Sequence, residues 1–186
     1  MFAGATSADF ATDAYAAVTY LKGRKEIDPK RIGICGHSEG GIIAPMVAAE
    51  YSADIGFIIL LAGPGISGER VMYEQAFDFA NLFGEKVTEK EVQEFVDAVM
   101  PIMREEKNQK LTAVMKKFAD EEKDEKKRKQ AEAGIPLTVQ RLADPWFRWF
   151  VRHDPAPTLE KVTGLSRIYD GRDSERRTTL LPSWCG

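Results

Sequence analysis

Ser38 stands in the stretch Gly36-His37-Ser38-Glu39-Gly40, the spacing G-x-S-x-G. A serine hydroxyl in that setting is a candidate nucleophile for acyl transfer. The pattern carries this meaning only between a strand and a helix. Here a short apolar run, Ile32 to Cys35, precedes it and a helix-capable segment follows. So sharp a turn holds its serine at strained backbone angles, and flanking side chains would collide with neighbouring backbone. Gly36 and Gly40 are therefore expected to keep those places empty. Ser38 would then rise above the carboxyl end of the strand, at the amino end of the next helix, where N–H groups favour a developing anion. The Glu39 N–H is the expected oxyanion donor. The plainer alternative is a tight turn whose Ser38 only caps the helix.

The elbow, read as Gly-His-Ser-Glu-Gly-Gly, resembles the α/β-hydrolase superfamily, in its esterase-like branch. The resemblance runs from about Ala5 to Thr163 and then weakens. It implies an α/β chain with a partial α/β-hydrolase fold: a few-stranded parallel sheet, flanking helices and a helical cap insertion. It also implies a serine hydrolase that acts on a small ester or acyl substrate through an acyl-enzyme at Ser38, with no metal and no cofactor. By its Gly171-Arg172-Asp173-Ser174 setting, Asp173 matches the family's acid position; read without the family, it is a turn residue capping its own loop.

Histidine is the gap. The superfamily's triad runs Ser, acid, His along the chain. The two histidines here are His37, inside the elbow, and His153, ahead of Asp173. Without a base a serine keeps its ordinary, unreactive hydroxyl. The second oxyanion donor belongs to a loop after an earlier strand, and only Met1 to Ala5 precedes the first helix. The chain thus reads as an incomplete member, weak or inactive as written. One rival is a catalytically silent fragment or interaction module on the same fold. Another is peptidase, thioesterase or lactonase activity, which the sequence does not separate from esterase activity.

The elements that must position these groups are legible in outline. Phe10, Ala14, Ala17, Val18 and Leu21 recur at helical spacing after a Thr6 or Ser7 cap, and Gly23 stops the helix. Ile42, Ile43, Met46 and Val47 mark the apolar side of a helix after the elbow, with Pro45 inside it. Asp54 to Leu61 is nearly continuous in apolar residues, the pattern of a parallel strand covered on both faces. Strand, helix, strand makes a βαβ unit. Residues 1–66 are thus assigned to a partial core and 67–140 to a helical cap. Residues 141–174 return to the core with the acid turn, and 175–186 form an irregular tail.

In the cap region, Thr88 with Glu91 forms a capping box. Val92, Phe95, Val96, Val99, Ile102 and Met103 line one helix face; Leu111, Val114, Met115 and Phe118 form another seam ahead of Gly134 and Pro136. Asp120 to Lys129 is charged at every position and reads as a solvated helix with i,i+4 ion pairs. The aromatics around Trp146 to Phe150 read as packing anchors. A weak strand is expected at Leu165–Tyr169, with Ser166 and Arg167 where apolar residues belong. That break in likeness from Gly164 onward suggests a disturbed reading frame.

A net charge of -3 and a pI near 5.6 give no reason to expect nucleic acid or an anionic membrane as partner. Cys35 and Cys185 make no disulfide framework. Met1 to Gly4 lacks the basic region and apolar core of a leader, so the chain as written reads as cytoplasmic. An elbow strand stripped of its neighbours leaves an open edge, so self-association is expected.

Overall fold

A computed structural model describes residues 4–82, 87–105, 108–162 and 165–169. In chain order the elements are α1 (Ser7–Lys22), β1 (Gly33–His37), α2 (Gly40–Glu50), β2 (Phe57–Leu61), α3 (Gly68–Leu82) and α4 (Glu89–Glu105). They continue with α5 (Asn108–Asp120), α6 (Glu125–Leu142), α7 (Pro145–Arg152), α8 (Ala156–Leu159) and β3 (Leu165–Tyr169). The chain divides into two compact units, one of Met1–Ser67 with Asp154–Gly186 and one of Gly68–His153.

The first unit is built on a three-stranded parallel sheet in the order β1-β2-β3, and the α/β class follows from it. α1 begins where Thr6 caps it. The Thr6 N–H and hydroxyl both donate to Asp9 Oδ2, each at 2.8 Å. Those bonds, the backbone one foremost, hold the Asp9 carboxyl below its usual range. The buried face of α1 is Ser7, Ala11 and Val18, with Ala17 turned to solvent. Ala11 rather than Ala17 completes the inward stripe, because small residues at both positions make the apolar period ambiguous. α2 is enclosed more fully than a one-sided helix: Ile42, Ala44, Pro45, Val47 and Ala48 are all buried. The Pro45 ring removes the N–H that would bond the Gly41 carbonyl.

One face of the sheet carries Gly36, Ile58 and Leu60, buried in a core with Val18, Ile32, Ala44, Val47 and Ala48. The other face differs from the sequence expectation. β2 alternates instead of being covered on both sides, with Phe57 40% and Leu61 37% exposed. Cys35 and His37, which share that face on β1, are exposed too. Continuous apolar sequence tells how a strand can be covered, and only packing tells how it is. The Phe57 ring lies over Gly33, where a Cβ would come within 2.5 Å of it.

Asp54 ties α1 to the turn before β2. It accepts from Lys22 Nζ and, at 2.8 Å, from the Tyr15 hydroxyl, whose ring stacks on Tyr51. The Lys22 bond first and the Tyr15 bond second hold the Asp54 carboxyl below its usual range. A carboxyl lowered on folding contributes stability above its unfolded pKa and loses it as pH falls through the folded value. Asp54→Asn should therefore be less stable than the parent chain near pH ~6, and the gap should close on acidification toward pH ~3. Urea midpoints at the two pH values check this; a gap that stays constant would refute it.

The second unit is helical. Thr88 and Glu91 close the expected box: the Thr88 N–H and hydroxyl donate to Glu91 Oε2 at 2.8 Å and the Glu91 N–H returns to Thr88 Oγ1 at 3.2 Å. Val92, Val96, Val99 and Met103 of α4 are buried as the spacing predicts, joined by Met100. Leu111 and Met115 of α5 are buried as well, and Phe95 meets Phe118 edge to face at 5.4 Å.

The helices of this unit add detail that the sequence pattern does not carry. The charged run is broken, since α5 ends at Asp120 and Asp124 caps α6 by accepting from the N–H groups of Lys126 and Lys127. A short acidic side chain competes for backbone donors and opens a new helix more readily than it continues one. Gly134 and Pro136 do not end a helix; α6 runs through both to Leu142. Buried Ile135 fixes that segment by packing, which outweighs the local cost of its neighbours. The second compact unit runs from Gly68 to His153 and so includes α7. α7 packs on α3 and α4, and Arg152 donates to the Met103 and Arg104 carbonyls at the end of α4. Gly68 lies so close to α7 that a Cβ there would sit 1.8 Å from the Phe150 carbonyl oxygen.

Candidate active site at the carboxyl end of the sheet

The site is assembled from the ends of β1 and β2. β1 stops at His37, in register with Leu61, and the Ser38 N–H extends the ladder by donating to the Leu61 carbonyl at 3.0 Å. Ser38 itself sits at φ +53°, in the left-handed region. For a residue with a Cβ that costs about 1–2 kcal/mol. Glu39 is back in helical geometry at φ -54°, ψ -36°, and serves as the N-cap of α2. The Ser38 carbonyl accepts from the Gly41 N–H at 2.9 Å, and the Glu39 carbonyl from the Ile42 and Ile43 N–H groups at 2.9 and 3.1 Å. The backbone is thus fixed on both sides of Ser38, and the residue is exposed.

The glycines divide their work differently from the sequence expectation. A Cβ on Gly36 would lie 1.9 Å from the Gly40 carbonyl oxygen, so that position must stay empty. Gly40, by contrast, has open space where its Cβ would be. The second steric requirement falls on Gly41, whose Cβ would meet the Gly63 Cα at 2.3 Å. Gly63 belongs to the loop leaving β2, and the two glycines let that loop pass against the first turn of α2. Its neighbour Ala62 is the other described non-glycine residue at positive φ, +49°. Two strained residues therefore follow the two register-matched strand ends, at the edge of the sheet where open α/β sheets place their ligands.

Sequence reasoning also missed Ser7. Its side chain is fully buried and its hydroxyl donates to Glu39 Oε1 at 2.7 Å. A pairing across 32 residues leaves no local signal to read. The doubled glycine and the glycine after β2 were visible in the sequence, but not which of them meet.

The other residues singled out from the sequence are His37, His153 and Asp173. His37 is exposed at the end of β1. His153 lies in the second unit, its ring stacked on Trp149 at 4.5 Å and its carbonyl accepting from the Gly68 N–H at 2.9 Å. The expected acid, Asp173, lies outside the described residues. Among the described residues no cluster of His, Cys, Asp or Glu has the makings of a metal site, and no helix is long and apolar enough to cross a membrane.

Comparison with known proteins adds one match. The model of the family described as BAAT / Acyl-CoA thioester hydrolase C terminal matches residues 15–126, from within α1 through the elbow to the first turn of α6. No curated protein and no solved structure matches the chain. With more than half its length matched by that model and a parallel βαβ core around Ser38, this chain belongs to the BAAT / acyl-CoA thioester hydrolase C-terminal family, within the α/β-hydrolase-like superfamily.

Proposed function

We propose that Ser38 is the nucleophile of an acyl-transfer site that takes a thioester or ester of a small acyl group. The observation that carries this reading is the left-handed backbone of an exposed serine set between a strand end and a helix start. Strain of this kind persists where the surrounding structure enforces it, and it clusters at sites that do chemistry. In the reaction, the Ser38 hydroxyl oxygen attacks the acyl carbonyl and the carbon–sulfur or carbon–oxygen bond breaks. The thiol or alcohol leaves with the serine proton, and water then releases the acid. The Glu39 N–H, first after the nucleophile, is placed in sequence to donate to the oxyanion. Family membership favours a thioester over an oxygen ester as substrate. Asp173 keeps its role as the candidate acid on its Gly-Arg-Asp-Ser setting alone.

A second reading is a silent domain of the same fold, and the distribution of histidines favours it: His37 and His153 are the chain's two, both ahead of Asp173. Long incubation with a fluorophosphonate, followed by intact mass and peptide mapping, separates the readings. A single adduct on Ser38, absent in Ser38→Ala, is the expected result. No adduct, or one elsewhere, would leave the silent domain standing.

A further inference from the structure

We propose that Ser7 is a positioning residue for the elbow, holding the Glu39 carboxylate at the amino end of α1 and so away from the place where an oxyanion would form; this rests on Ser38 being the nucleophile. Glu39 has two opposed roles in one residue. Its backbone N–H is the candidate oxyanion donor, while its side chain carries a full negative charge only a few bonds away. Glu39 is also the N-cap of α2, and the positive end of that helix attracts any nearby anion. An untethered carboxylate would settle there and oppose the developing charge.

The geometry supplies the tether. The Ser7 hydroxyl, fully buried, donates to Glu39 Oε1 at 2.7 Å. Ser7 is the first residue of α1, so the carboxylate it holds lies at the positive end of a second helix. That start is itself fixed by the bonds from Thr6 to Asp9. The α1 terminus and the elbow are thereby joined at the residue that follows the nucleophile.

The test is the rate of Ser38 phosphonylation by a neutral fluorophosphonate in the full chain, with circular dichroism and the melting temperature confirming each variant is folded. Ser7→Ala should slow the reaction about tenfold, less than the loss of a whole oxyanion donor. In a Glu39→Gln background the same Ser7→Ala change should cost less than about twofold, because no charge is left to stray. Glu39→Asp leaves α1 untouched but shortens the reach to Ser7 while keeping the charge. It should reproduce most of the Ser7→Ala loss, so the proposal stays testable if Ser7→Ala fails to fold. Added salt should recover part of both losses by screening.

Equal rates for the parent, Ser7→Ala and Glu39→Asp would overturn the tether and leave the role of Ser38 intact. A Ser7→Ala loss as large in the Glu39→Gln background as in the parent would assign Ser7 a packing role and overturn the electrostatic one. If the parent chain gives no Ser38 adduct, the nucleophile reading and the tether fall together.

Discussion

Gly36→Ala is expected to destabilise the first unit by about 3 kcal/mol, a large part of a typical domain's stability. The added methyl would lie 1.9 Å from the Gly40 carbonyl oxygen and 2.2 Å from its carbon. Both are backbone atoms in the first turn of α2, held by the bonds that close the elbow. Nothing at the far end of a flexible side chain can yield, so either the strand end or the helix start must move. Gly40→Ala is the contrasting substitution. Its Cβ meets nothing within 4 Å and its φ is not in the left-handed region. An alanine there lowers the entropy of the unfolded chain and should be neutral or stabilising by up to about 1 kcal/mol. Urea unfolding of the two variants side by side checks the pair. If both are equally harmful, the second glycine of the motif has a steric duty after all.

The other large effect is on turnover. Steady hydrolysis of an acyl-CoA or a p-nitrophenyl ester by this chain is expected to be marginal. Removing the triad histidine of a well-studied serine protease costs on the order of a million-fold in kcat. The chain's two histidines are the exposed His37, next to Ser38 in sequence, and His153 in the second unit. A rate above that of buffer by more than about a hundred-fold, abolished by Ser38→Ala, would contradict this expectation. Loss of that rate in His153→Ala would then identify the base. Labelling requires a single irreversible displacement at Ser38 during a long incubation, whereas turnover also requires the proton to be carried and the acyl-enzyme released in every cycle.

The sequence by itself determined the local elements wherever local rules act. The place of the tight strand-to-helix turn at Ser38 followed from glycine spacing between a strand pattern and a helix pattern. The Thr88–Glu91 box and the α4 and α5 seams followed from capping chemistry and the 3.6-residue period. The strand at Leu165–Tyr169 was also legible, although Ser166 and Arg167 interrupt its apolar run.

Tertiary structure decided what depends on which elements meet. Ile135 keeps α6 continuous through a glycine and a proline that would end it on propensity alone. α7 joins the second unit because it packs on α3 and α4 and its Arg152 caps α4 carbonyls, neither of which its aromatic content reveals. At the site, sequence named Ser38 and two glycines, but the close approach of Gly41 to Gly63 and the bond from Ser7 to Glu39 were set by packing. Such contacts join residues distant along the chain, and a periodicity or a motif reports only on neighbours in sequence.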